Sequence, residues 1–188
     1  PFRTDPRFNL IRKELRLLVR DPWLMTQLLQ QNLYLIPLAL ALWRGLGRGP
    51  SVAWASVVMA ATTISGALAW LAGAGEDAPD LLRSAPLHPR TQWWAKLAAA
   101  LLPAAGMIAI STLVLAFQTR YWSALAIGVC GSGAALTSAL LHIRARGGPH
   151  KRRDLRNRYQ SSTLLALLDF ALMMLWLLIA VLVLYWEG

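Results

Sequence analysis

The chain is poor in the residues that soluble proteins use to cover their surfaces. Asp and Glu together number nine among 188 residues, and all charged residues make up 15%. A soluble domain carries roughly 25%, so an ordinary water-exposed surface is excluded. A single cysteine, Cys130, excludes both a disulfide framework and a multi-cysteine metal centre. The only lysines, Lys13, Lys96 and Lys151, are followed by Glu, Leu and Arg, so no GxxxxGK[ST] phosphate loop exists. His88, His142 and His150 fit neither HExxH nor a Cys/His zinc pattern.

Apolar side chains and basic charge are what the sequence has instead. Hydrophobic residues make up 56%, with nine Trp, and Lys+Arg outnumber Asp+Glu by 19 to 9, a net charge of +10. Such a charge on a small protein first points to nucleic acid. The apolar content points elsewhere, to an all-α polytopic membrane bundle, because lipid leaves backbone groups no partner outside the helix. Five segments are long and apolar enough to cross: about 23–43, 52–72, 93–117, 122–142 and 163–186. Strand-length alternating segments, the mark of a membrane barrel, are absent.

The distribution of charge orients the bundle. Six basic residues precede Pro22, Arg83, Arg90 and Lys96 flank the 73–92 loop, and seven lie between Arg144 and Arg158. The alternate loops hold only Arg44, Arg48 and Arg120. The positive-inside rule places the richer side in the cytoplasm, with the N-terminus inside and the C-terminus outside. Trp23, Trp43, Trp93, Trp94, Trp122 and Trp186 stand near span ends, as an interfacial belt requires. The basic 143–162 loop is thereby explained by topology and anionic lipid, and nucleic-acid binding is not expected. An odd number of spans, with no initiator Met and no signal peptide, reads as part of a longer polypeptide.

Residues 1–22 form the first cytoplasmic unit, ahead of the 23–188 bundle. Asp5-Pro6 supplies an N-cap and a first-turn proline. The helix that follows sets Ile11, Leu15 and Leu18 on one face and Arg12, Arg16 and Arg20, next to Lys13, on another. That is an interfacial amphipathic helix suited to anionic lipids. Span one opens with Gln27, Gln30, Gln31 and Asn32, amides expected to face other helices or a wet cavity. Asp169 is the one acid inside a span, expected in the inner half of the hydrocarbon, either functional or a carboxylate near the interface, protonated or paired to Ser, Thr or Arg. Cys130, in a Gly/Ser/Ala-rich span, reads as a packing residue, and Trp176, deep in span five, likewise.

The loop from Gly75 to Arg90 reads as a short helix opened near Asp77 to Pro79 and stopped by Pro86 and Pro89. Leu81 and Leu82 would be exposed there unless another protein covers them. Glu76, Asp77 and Asp80 favour the helix N-terminus through its dipole, and no motif makes them a metal site.

The run Lys13-Glu14-Leu15-Arg16-Leu17-Leu18-Val19-Arg20-Asp21-Pro22-Trp23-Leu24, with Gln27 and Tyr34-Leu35-Ile36-Pro37, resembles the membrane entry of bacterial ABC transporter permeases of the ABC-2 exporter type. Gly75 to Pro86, then Ala95-Lys96-Leu97 and Pro103, resembles their cytoplasmic loop. The resemblance is clearest from Leu10 to Lys96 and implies a permease subunit in the bacterial inner membrane. It also implies a coupling helix at Pro79 to Ser84, with Arg83 in it, docking on a cytoplasmic ATP-binding subunit. ATP and Mg would belong to that partner, and this chain would hold no cofactor. Five spans against the six usual in that family imply a second permease subunit or a further part of the chain. The other expectation is a non-transporting accessory subunit that scaffolds a larger membrane complex.

Overall fold

The structure, a computed structural model, describes residues 54–74, 89–118, 120–145 and 159–187, and in the N-terminal part 9–13, 15–16, 26, 29–30, 33, 37, 40–41 and 44. Among the described residues are four helices: α1 (Ala55–Ala74), α2 (Pro89–Phe117), α3 (Tyr121–Ala145) and α4 (Tyr159–Glu187). Among the described residues there is no strand. Three helical stretches are long and apolar enough to cross a membrane: Arg90–Phe117, Tyr121–Arg144 and Thr163–Trp186. The apolar stretch of α1, Ala55–Trp70, is shorter. These helices mark a membrane protein.

The helices overrun the expected spans at the basic end. α2 begins at Pro89, α3 runs to Ala145, and α4 begins at Tyr159, inside the expected 73–92 and 143–162 loops. Hydropathy marks where lipid begins, whereas a helix continues into water until its backbone bonds end. Pro89 opens α2 as a first-turn proline, which lacks only an N–H that no helical partner would take. Pro103 lies exposed within the same helix.

α2 and α3 are joined by a tight turn. The Gln118 N–H donates to the carbonyls of Val114 and Leu115 at 3.2 and 3.1 Å, and the Arg120 N–H donates to Leu115 at 3.2 Å. These bonds satisfy the last carbonyls of α2. The Ala124 N–H then donates to the Arg120 carbonyl at 3.0 Å and starts α3.

Small residues dominate the core. Ala61, Ala104 and Ala135 pack with Ile108 at mid-height, and Ala69, Ala99, Ala100 and Ala139 pack with Leu68 and Leu97 toward the basic end. Toward the other end, Ala55, Val58, Leu115, Ile127, Ala180 and Leu184 gather around Cys130, which is buried as a packing residue. Lipid supplies no hydrophobic drive between helices, so close van der Waals contact across small side chains holds them together. α3 is the centre, packing against α1, α2 and α4. Half of its span is buried, compared with 17% for α4.

Trp176 is half-buried on α4 and its ring lies over Gly133 of α3. A Cβ at residue 133 would stand 2.6 Å from the indole Cη2. Glycine is required here because the ring fills the space a side chain would take.

The N-terminal residues 9–13, 15 and 16 are helical. Leu15 packs against the Leu68, Leu97 and Ala139 cluster, while Arg12, Lys13 and Arg16 are exposed, in keeping with the amphipathic reading. Arg20 lies outside the described residues. Residues 26, 29, 30, 33, 37, 40, 41 and 44 are also helical and all exposed. Gln30 is among them. Gln27, Gln31 and Asn32 lie outside the described residues.

Candidate functional site

Two consecutive polar residues of one α3 face, Ser138 and His142, lie one helical turn apart, an i, i+4 pair that a helix stacks on a single side. α1 packs closely against that side at Gly66. A Cβ built on Gly66 would stand 2.5 Å from the Ser138 Oγ and 3.2 Å and 3.3 Å from the His142 Cδ2 and Nε2 atoms. Any larger residue at 66 would displace both side chains. The third member comes from α4, where the Asp169 Oδ2 lies 3.2 Å from the His142 Nε2. Facing a carboxylate, that nitrogen carries the proton and donates.

The pair is shielded but not sealed. The side chains of His142 and Asp169 retain 14% and 22% of their exposure, and Ser138 retains none. Among the described residues, one atom on each of the three is buried without a hydrogen-bond partner: Ser138 Oγ, His142 Nδ1 and Asp169 Oδ1. An unsatisfied buried polar atom typically costs about 1–3 kcal/mol. The neighbouring hydroxyls of α1 avoid that cost by bonding back to their own helix. Thr62 Oγ1 donates to the Val58 carbonyl at 2.8 Å, and Ser65 Oγ to the Thr62 carbonyl at 3.1 Å.

The axial offset of α4 sets the depth of the cluster. Asp169 is ten residues past Tyr159, roughly 15 Å along the helix at 1.5 Å per residue. His142 is only three residues from the end of α3 at Ala145, roughly 4.5 Å. Because the two side chains meet, the first turns of α4 extend beyond the end of α3. Asp169 therefore lies level with the last turn of α3, close to the basic end of the bundle.

Serine, histidine and aspartate are also the residue types of an acyl-transfer triad. In that arrangement the serine bonds to the ring nitrogen opposite the aspartate. Here Ser138 Oγ and His142 Nδ1 both lack partners, and the serine is wholly buried. The geometry is that of an interhelical polar cluster. Among the described residues, no group of three or more His, Cys, Asp or Glu side chains is placed to hold a metal ion.

Asp169 was singled out by the sequence; His142, Ser138 and Gly66 were not singled out with it. The available signal was the Ser138–His142 spacing, with a histidine at the end of one span and an acid near the start of the next. Glu76, Asp77, Pro79, Asp80, Leu81, Leu82 and Arg83, the expected coupling residues, lie outside the described residues. No protein-family model, curated protein or solved structure matches this chain.

Proposed function

We propose that the chain is a membrane-spanning permease subunit of an ATP-driven exporter of the ABC type, in the bacterial inner membrane. A partner ATPase would supply the nucleotide chemistry, and the 75–88 connection would receive its motion. The observation that carries this reading is the docking of Leu15. It seats a basic helix against the α1–α2–α3 cluster at the end where residues 75–88 leave α1 and enter α2. An interfacial helix beside the α1–α2 connection is the arrangement that transmits a push from a cytoplasmic partner into the bundle. The exposed Arg12, Lys13 and Arg16 would rest on anionic headgroups.

Affinity purification of the tagged chain from its native membrane tests this reading. The expected result is a co-purifying ATPase whose hydrolysis is vanadate-sensitive. A stable complex without an ATPase would overturn it in favour of the accessory, scaffolding subunit.

A further inference from the structure

α4 is held unevenly along its length. From Trp176 onward it is anchored: the indole lies over Gly133, and Ala180 and Leu184 are buried with Ala55, Val58 and Leu115. Before Met173 no described side chain of α4 is buried. In that half only Leu165, Asp169 and Leu172 turn partly inward, while Leu164, Leu167, Leu168 and Phe170 are exposed. The hydrogen bond from His142 to Asp169 ties this half to α3. Behind that tether sit three polar atoms without partners, one turn from the end of α3.

We propose that the His142–Asp169 pair is a clasp, and that its release lets the first half of α4 swing away from α3 about the Trp176–Gly133 contact. The opened space is a polar site at the basic end, lined by Ser138, His142 and Asp169. Its chemistry suits water and small cationic hydrogen-bond donors, because Asp169 Oδ1 offers a charged acceptor and Ser138 Oγ a neutral one. Opening exchanges one interhelical hydrogen bond for hydration of all three unpartnered atoms. Leu164, Leu167 and Phe170, exposed on this half, have little protein contact to lose when it moves. The inference stands on this geometry alone and does not require an ATPase partner.

The test is reaction of a cysteine at position 138 with a positively charged, membrane-impermeant thiosulfonate, in membrane vesicles carrying the full chain. Ser138→Cys is placed in a Cys130→Ala background. A second chain carries Ala61→Cys instead, in the core shared with Ala104 and Ile108, which is buried and remote from the clasp. A third, Arg152→Cys, reports which vesicle face presents the 146–158 connection. With the clasp intact, Ser138→Cys should react slowly. Adding Asp169→Ala or His142→Ala should speed its reaction at least tenfold, only from the face that labels Arg152→Cys, while Ala61→Cys stays protected. Unchanged reactivity at 138 in both variants overturns the clasp. Equal acceleration at 61 also overturns it, since the bundle would then loosen as a whole. Reaction from the opposite face overturns the placement of the opening.

Discussion

Trp176 and Gly133 interlock across α3 and α4: the indole Cη2 atom lies 2.6 Å from the point where a Cβ on residue 133 would sit. The contact joins the least and the most buried of the three long apolar helices, and it stands between the anchored and the loosely held halves of α4.

Gly133→Ala should therefore destabilise the bundle by about 1–3 kcal/mol, the usual cost of overpacking a filled site. Thermal unfolding in detergent measures this. Adding Trp176→Leu should recover part of the loss, because the smaller side chain vacates the space. A Gly133→Ala protein as stable as wild type would show that the ring has room to move.

Gly66→Ala should act on the polar cluster instead. The new methyl group needs the space held by Ser138 Oγ, at 2.5 Å, and approaches the His142 ring. Ser138→Ala should then suppress the defect, since it removes the atom in closest conflict. Full additivity of the two substitutions in thermal unfolding would refute a direct steric relation.

Removing one partner of the clasp should cost more than removing both. Asp169→Leu leaves the His142 N–H without its acceptor, and His142→Leu leaves a shielded carboxylate without its donor, each at about 1–3 kcal/mol. The double variant His142→Leu with Asp169→Leu should lie nearer wild type, as apolar replacements of buried polar pairs often do. Stability measurements on the four proteins form a double-mutant cycle, with an expected coupling of about 0.5–3 kcal/mol. Zero coupling would mean that the 3.2 Å approach contributes nothing.

Leu15→Asp should detach the N-terminal helix, because a carboxylate replaces a side chain packed on Leu68, Leu97 and Ala139. Limited trypsin digestion should then cut faster at Arg12, Lys13 and Arg16. The spans themselves should remain intact by circular dichroism. Digestion at the wild-type rate would show that the helix is held by other contacts.

Within the permease reading, Leu81→Asp together with Leu82→Asp should abolish capture of the partner ATPase. Helix content should be unchanged. Undiminished capture in a pull-down would remove the coupling role from the 75–88 connection.

The helices were legible because lipid forces long apolar runs into a single backbone solution. Their limits at the basic end were less so: Pro89, Arg144 and Tyr159 are helical although hydropathy places them in loops. Cys130 and Trp176 read correctly as packing residues, since small and large apolar side chains inside a span have few other uses. Asp169 was visible as an oddity, a charge within an apolar run, but its pairing with His142 was not. Depth is set against neighbours, and the overhang of α4 beyond α3 appears in neither helix alone.

Composition and spacing by themselves determined that this chain is helical, that apolar helices form its bundle, and that sixteen of its nineteen basic residues gather on alternate connections. Those properties are local, since each run of about 20 residues carries its own signal. The tertiary structure alone decided that Asp169 meets His142, that Gly66 makes room for Ser138, and that Leu15 rests on the α1–α2–α3 cluster. Such pairings depend on the rotation and axial offset of one helix against another. Close packing of small side chains sets both, through contacts between residues far apart in the chain.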